Sequence, residues 1–153
     1  MRSTPGFQIR EAVAARDAAA RGAIADETGA ASDEDESLLQ EYRGVREATL
    51  ALCRNLEVED TVAQSMPDAS PVKWHLAHTS WFFEQFVLSH GRNGRQQRGR
   101  RHPKWVEIFN SYYQSIGPQF TRSQRGVLTR PTLSEVIEYR ALIDADMQQL
   151  LRG

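Results

Sequence analysis

The sequence predicts an all-α fold, an up-and-down helix bundle, and three observations lead there. Apolar residues recur at spacings of three and four in three long stretches. No stretch alternates apolar and polar residues as a half-buried strand does. The punctuation is helical as well, with Ser70-Pro71 and Thr132-x-x-Glu135 both reading as helix starts. A length of 153 residues suits one domain. With 19 Lys and Arg against 20 Asp and Glu, the net charge of -1 gives no sign of a polyanion-binding chain. No apolar run approaches the roughly 20 residues of a membrane-spanning helix. Cys53 is the single cysteine, so no disulfide can form within the chain. No secretory block opens the sequence, and a cytoplasmic location is the expectation.

Residues 1–36 are rich in Ala, Gly, Asp, Glu, Arg and Ser and carry only isolated larger apolar residues, Phe7, Ile9, Val13 and Ile24. Such a segment buries too little surface to offset its ordering entropy and reads as a disordered tail. Within it the Ala-rich stretch Glu11 to Ala25 could form a nascent helix. Its arginines raise a transit peptide, but Glu11, Asp17, Asp26 and Glu27 argue against that acid-poor class. The domain proper is expected over residues 37–153.

The first long helix is expected from Ser37, as cap, to Leu56, with Leu38, Tyr42, Val45, Thr49, Leu52 and Leu56 forming its buried seam. Arg46 falls off that seam, and Cys53 beside it reads as a small buried thiol. The second helix starts at Ser70-Pro71 and runs to Ser89. Val72, Leu76, Phe83 and Val87 mark one stripe, Trp74, Trp81 and Leu88 another, so this helix is central. Residues 91–104 form a glycine-containing basic loop. Trp105 to Tyr113 is aromatic and makes one or two helical turns, ended by Gly117-Pro118, and Gln119 to Arg130 reads as irregular chain. The third long helix opens with a Thr132/Glu135 capping box and buries Leu133, Val136, Ile137, Ala141, Met147, Leu150 and Leu151. Three long helices leave apolar surface wet where a fourth would cover it, so a further element from a longer chain or a partner is expected.

His75 and His78 sit three apart on the central helix, within about 60° of each other around its axis. Neutral imidazoles in an apolar surround suit borderline transition metals. Two histidines alone make no complete site, and a hydrogen-bonded core histidine beside a solvated one is the plainer reading.

The string QSMPDASPVKWHLAHTSWFFE, followed by FNSYY-x-x-x-G and then RG-x-L-x-RPT, resembles the N-terminal DinB-like domain of the sulfoxide synthases of ergothioneine biosynthesis, the EgtB family. The resemblance covers about Leu38 to Leu151. It implies a non-haem iron enzyme that uses oxygen to join the thiol of cysteine or γ-glutamylcysteine to the imidazole of trimethylhistidine, hercynine. It further implies an Fe(II) cofactor held by three histidines, the first of them His78, with His75 in a supporting place. The family's other two ligands stand in a His-x-x-x-His-x-Glu string on the fourth helix, and this sequence carries no such string. Nor does it carry the family's second domain, which resembles formylglycine-generating enzymes. The chain therefore reads as truncated before that helix, expected to bind iron weakly and to be silent alone. Arg122 and Arg125 stand where some relatives grip the carboxylates of the thiol substrate. Guanidinium forks suit that task by donating paired hydrogen bonds, and solvated loop charges are the competing reading of the same pair.

Two other classes compete. The six cations between Arg92 and Lys104 could neutralise nucleic-acid phosphates, although the loop lacks interleaved aromatics. A non-catalytic DinB-like interaction module, self-associating through an exposed apolar seam, is the alternative to catalysis.

Overall fold

The structure is a computed structural model and describes residues 33–90 and 101–152. The expected nascent helix and disordered tail before Asp33, and the part of the expected basic loop from 91 to 100, lie outside the described residues. Helix α1 spans Asp33–Cys53, and α2 spans Val72–Phe83 and continues into a π-helical turn, Glu84–Leu88. The short α3 covers Trp105–Phe109 and α4 covers Leu133–Arg152. Single 3₁₀ segments occur at Asp60–Val62 and Arg122–Val127. No strand occurs among the described residues, as the absence of alternation predicted.

The first described helix begins before the expected Ser37, and its described residues open at Asp33. Asp33, Glu34, Asp35 and Glu36 fill the first turn of α1, where carboxylates interact favourably with the helix dipole. Ser37 consequently lies inside the helix instead of capping it, and α1 stops at Cys53, short of Leu56. The start of α2 is also corrected. Pro71, not Ser70, holds the N-cap position, and the Ser70 hydroxyl turns away to accept a hydrogen bond from Arg125 at 2.8 Å. The capping box of α4 forms as predicted: Glu135 accepts from the Thr132 amide at 2.7 Å and its own amide donates to Thr132 Oγ1 at 3.2 Å.

The larger correction concerns which face of α1 is buried. Leu39, Arg46, Leu50 and Cys53 are buried, whereas Leu38, Val45 and Leu52 are 51%, 67% and 85% exposed. The buried face is rotated by about one residue, roughly 100°, from the apolar seam. Arg46 explains it. Its guanidinium pairs with Asp144 of α4 at 2.6 Å and donates to Ser80 of α2 at 2.7 Å, while Tyr42 donates to the same carboxylate at 2.7 Å. Arg140 of α4 adds bonds to Thr79 and to the Arg46 carbonyl, each 3.0 Å. A charge–charge network between all three long helices thus replaces part of the apolar seam. The same network adds Tyr139, Arg140, Ile143 and Asp144 to the buried side of α4, which periodicity did not include.

α2 is central, as predicted, with Trp74, Leu76, Ala77, Ser80 and Trp81 buried. At its π-helical end the buried Glu84 carboxylate accepts from the Tyr139 hydroxyl and from the Arg101 amide, both at 2.9 Å. Arg101 also pairs with Asp146, and His102 stacks on Trp105 with ring centres 3.9 Å apart. The end of the basic loop is therefore pinned to the bundle. Tyr113 packs against Trp81 and Phe86, 5.9 and 4.7 Å between centres, so the aromatic segment covers the second stripe of α2.

Removing one member of a buried ion pair strands the other charge. Asp144→Ala should lower the unfolding free energy by about 3–5 kcal/mol, whereas Leu52→Ala should change it by less than about 0.5 kcal/mol. Urea denaturation of the two variants compares these outcomes, and equal losses would contradict the assigned face of α1.

Candidate functional site

The site is built where α2 meets the end of α3. A five-residue helix leaves its last carbonyls without intrahelical partners. Two side chains of α2 satisfy them: Trp74 Nε1 donates to the Ile108 carbonyl at 2.9 Å, and His78 Nδ1 bonds the Phe109 carbonyl at 2.7 Å. A carbonyl oxygen only accepts, so Nδ1 carries the proton and Nε2 keeps its lone pair. The His78 ring lies nearly parallel to Trp74, 4.6 Å and 14° away, and to Trp81, 5.6 Å and 22° away. Burial among these rings pushes its pKa down, with Arg125 and His75 acting in the same direction and the Phe109 bond opposing them. The result is a neutral imidazole of fixed tautomer and orientation. Metal-binding histidines have this arrangement, in which a backbone carbonyl holds one nitrogen and frees the other.

Arg125 stands beside it. Residues 119–130, expected to be irregular, contain the 3₁₀ segment Arg122–Val127. That segment is clamped by Gln64, which donates to the Arg122 carbonyl at 2.8 Å and accepts from the Gly126 amide at 2.7 Å. A β-carbon on Gly126 would stand 2.7 Å from Gln64 Cβ, so only glycine fits this approach. The clamp points Arg125 inward to 3% exposure, with its guanidinium 3.6 Å from the centre of the Trp74 ring. Burial and the neighbouring Arg122 bring its pKa down to about 10. Its Nε–H is buried with no partner among the described residues. A small cleft bounded by Val62, Lys73, Trp74, Arg125, Arg130 and Pro131 adjoins it. Lys73, also buried, donates to the Leu128 carbonyl at 2.9 Å and closes the cleft floor.

The sequence-derived candidates separate accordingly. His78, Trp74 and Arg125 converge, and Arg122 stays exposed with its side chain outside the cluster. His75 is exposed on the helix surface, while His90 and His102 lie at the basic loop. Tyr113 packs in the aromatic cluster and Tyr112 is exposed. Sequence reasoning missed Gln64, Ser70 and Lys73 as parts of the site. All three stood within the motif string, and their roles depend on groups more than fifty residues onward: the Arg122 and Leu128 carbonyls, the Gly126 amide and the Arg125 guanidinium.

A family model described as the DinB superfamily matches residues 41–153. The chain belongs to the DinB superfamily. No curated protein matches the chain. Membership accounts for α1, α2 and α4 as parts of a DinB-like helical domain. No helix among the described residues is long and apolar enough to cross a membrane.

His78 is more easily protonated in the unfolded chain than in this DinB-like domain. Its contribution to stability is therefore complete above the unfolded value near 6.5 and is lost as pH falls toward the lower folded value. His78→Asn, whose amide can still donate to the Phe109 carbonyl, should shrink the fall in Tm between about pH 7 and about pH 5. A Tm that drops equally in both proteins would show that His78 is not held neutral.

Proposed function

We propose that this DinB-superfamily chain is the N-terminal part of a non-haem iron, oxygen-dependent sulfoxide synthase of the ergothioneine type, joining a cysteine-type thiol to trimethylhistidine. The observation that carries the reading is the pairing of a carbonyl-anchored His78 with an inward-pointing Arg125, held together by Trp74. The quoted motif strings support it, since His78 closes the WHLAH string and Arg125 opens the RG-x-L-x-RPT string.

The fit to iron is partial. His78 presents Nε2 as a ligand would, yet among the described residues no group of three His, Cys, Asp or Glu side chains gathers to hold a metal. Iron would supply oxygen activation in the complete enzyme, with two further ligands coming from a helix outside residues 33–152. These residues by themselves are proposed to bind iron weakly and to have no turnover, because a lone imidazole sets neither affinity nor geometry.

The chain's own residues act on the thiol substrate. Arg125 offers its unpartnered Nε–H to a carboxylate, and the cationic cleft of Lys73, Arg125 and Arg130 attracts the same charge. Ser70 and Gln64 hold Arg125 in place. Trp74 keeps the bound carboxylate group close to His78.

γ-Glutamylcysteine should quench or shift Trp74 fluorescence on binding, and Arg125→Ala should weaken that binding by about tenfold, the worth of a charged hydrogen bond. Arg122→Ala, at an exposed position, should weaken it several-fold less. No fluorescence response in the wild-type chain, or an equal response in R125A, would refute the carboxylate role. Titration with Co(II) as an iron surrogate should broaden the His78 ring resonances ahead of those of His75, His90 and His102. Broadening first at His90 or His102 would remove His78 as the metal-facing ligand.

A further inference from the structure

Seventeen of the 19 basic residues are arginines, and one of the two lysines, Lys73, is buried. An arginine keeps its charge in a protein, whereas a lysine out of water readily gives up its proton. Lys73 is the second residue of α2 and is only 6% exposed. It lines the cleft together with Trp74, Arg125 and Arg130. The other lysine, Lys104, is exposed.

The surroundings of this amine disfavour its ammonium form. Burial removes water from it and Arg130 repels it, while the exposed Glu135 carboxylate opposes them, so its pKa lies below that of an ordinary lysine. The first turn of α2 acts in the same direction, because the positive end of a helix dipole disfavours a cation. The hydrogen bonds around it also suit a free amine. Nζ donates to the Leu128 carbonyl at 2.9 Å and to the Thr129 carbonyl at 3.5 Å. Those two bonds use both hydrogens of an uncharged amine and leave its lone pair unengaged. Desolvated lysines beside another cation act as nucleophiles toward carbonyl carbon.

The charge of the cleft selects which carbonyl compounds reach the amine. Arg125 contributes a buried, unpartnered Nε–H, and the exposed Arg130 stands at the rim. Both donate to oxyanions, and Val62, Pro71, Leu128 and Pro131 make the remaining wall apolar. We propose that Lys73 is the nucleophile of a covalent binding site for small anionic carbonyl compounds, namely aldehydic and α-keto acids. The carboxylate sits on Arg125 and Arg130, and the carbonyl carbon meets the amine. The Nζ lone pair bonds to that carbon, and the carbonyl oxygen leaves as water, taking one amine hydrogen and one proton from solvent. The resulting iminium keeps one N–H, which the Leu128 carbonyl accepts, and no electron passes to or from a third partner. The site shares Arg125 with the proposed thiol site but needs neither iron nor thiol.

Treating the full chain with glyoxylate and cyanoborohydride, which reduces an iminium to a stable secondary amine, tests this by peptide mapping. At near-neutral pH, Lys73 should be carboxymethylated at least about tenfold faster than Lys104. Unfolding in guanidinium should make the two lysines label alike. Relative to Lys104 in the same sample, Lys73 should prefer glyoxylate to uncharged acetaldehyde. Arg130→Ala, at an exposed position, should reduce that preference severalfold. Labelling of Lys104 as fast as Lys73 in the folded chain, or a Lys73 adduct with no preference for the anion, would overturn the inference. γ-Glutamylcysteine carries no aldehyde or ketone, so its binding, read by fluorescence, succeeds or fails independently of trapping at Lys73.

Discussion

The buried pair of Arg46 and Asp144 is the constraint on which the arrangement of the long helices depends. It lies almost wholly out of water, its two side chains 3% and 2% exposed, at the point where α1, α2 and α4 approach one another. A charge in that position is tolerated only with its partners present. Ser80 and Thr79 from α2, Tyr42 from α1 and Arg140 from α4 supply them. The phenol of Tyr42 is correspondingly held protonated, chiefly by burial and then by the Asp144 carboxylate. Because these bonds have direction, they set the rotation of each helix more narrowly than apolar contact would. A greasy seam could slide by a residue; a guanidinium shared among three helices cannot.

That fixed rotation in turn aims the chemistry. Ser80 faces Arg46, so Trp74, His78 and Trp81 on the same helix face the aromatic segment. The carbonyls at the end of α3 receive the indole and imidazole N–H groups there. One short helix thereby has its C-terminus capped by side chains from another element, and the cap orients a candidate ligand. On the other flank of Trp74 the Gln64 clamp and the Ser70 hydroxyl hold Arg125. A metal-facing nitrogen and a carboxylate-facing guanidinium are brought together by segments distant in sequence. The proposed sulfoxide-synthase reading draws on this juxtaposition and on the motif strings together.

Much of the fold was legible in the sequence because it follows from local rules. The capping box at Thr132 and Glu135, the turn at Gly117 with its positive φ of 137°, and the central burial of Trp74 and Trp81 all follow from neighbours within a few residues. The buried thiol of Cys53 was equally readable from its place beside an apolar row. The face of α1 was not readable in this way. Periodicity weighs arginine as a surface residue, and only the position of Asp144, nearly a hundred residues onward, makes Arg46 an interior one. Likewise, glycine at position 126 stood inside a recognised string, but the reason for it is the nearness of Gln64.

The sequence by itself determined that the chain is helical, where its main helices begin and end to within a few residues, and that His78 and Arg125 belong to informative motifs. Hydrogen bonding along a helix and the burial of apolar side chains are short-range in sequence, so composition and spacing record them. Tertiary structure alone decided which face of α1 is buried, which nitrogen of His78 carries the proton, and that Arg125 turns inward while Arg122 does not. Each of these depends on a partner dozens of residues away, and a charge or a ring nitrogen takes its role from the group it meets.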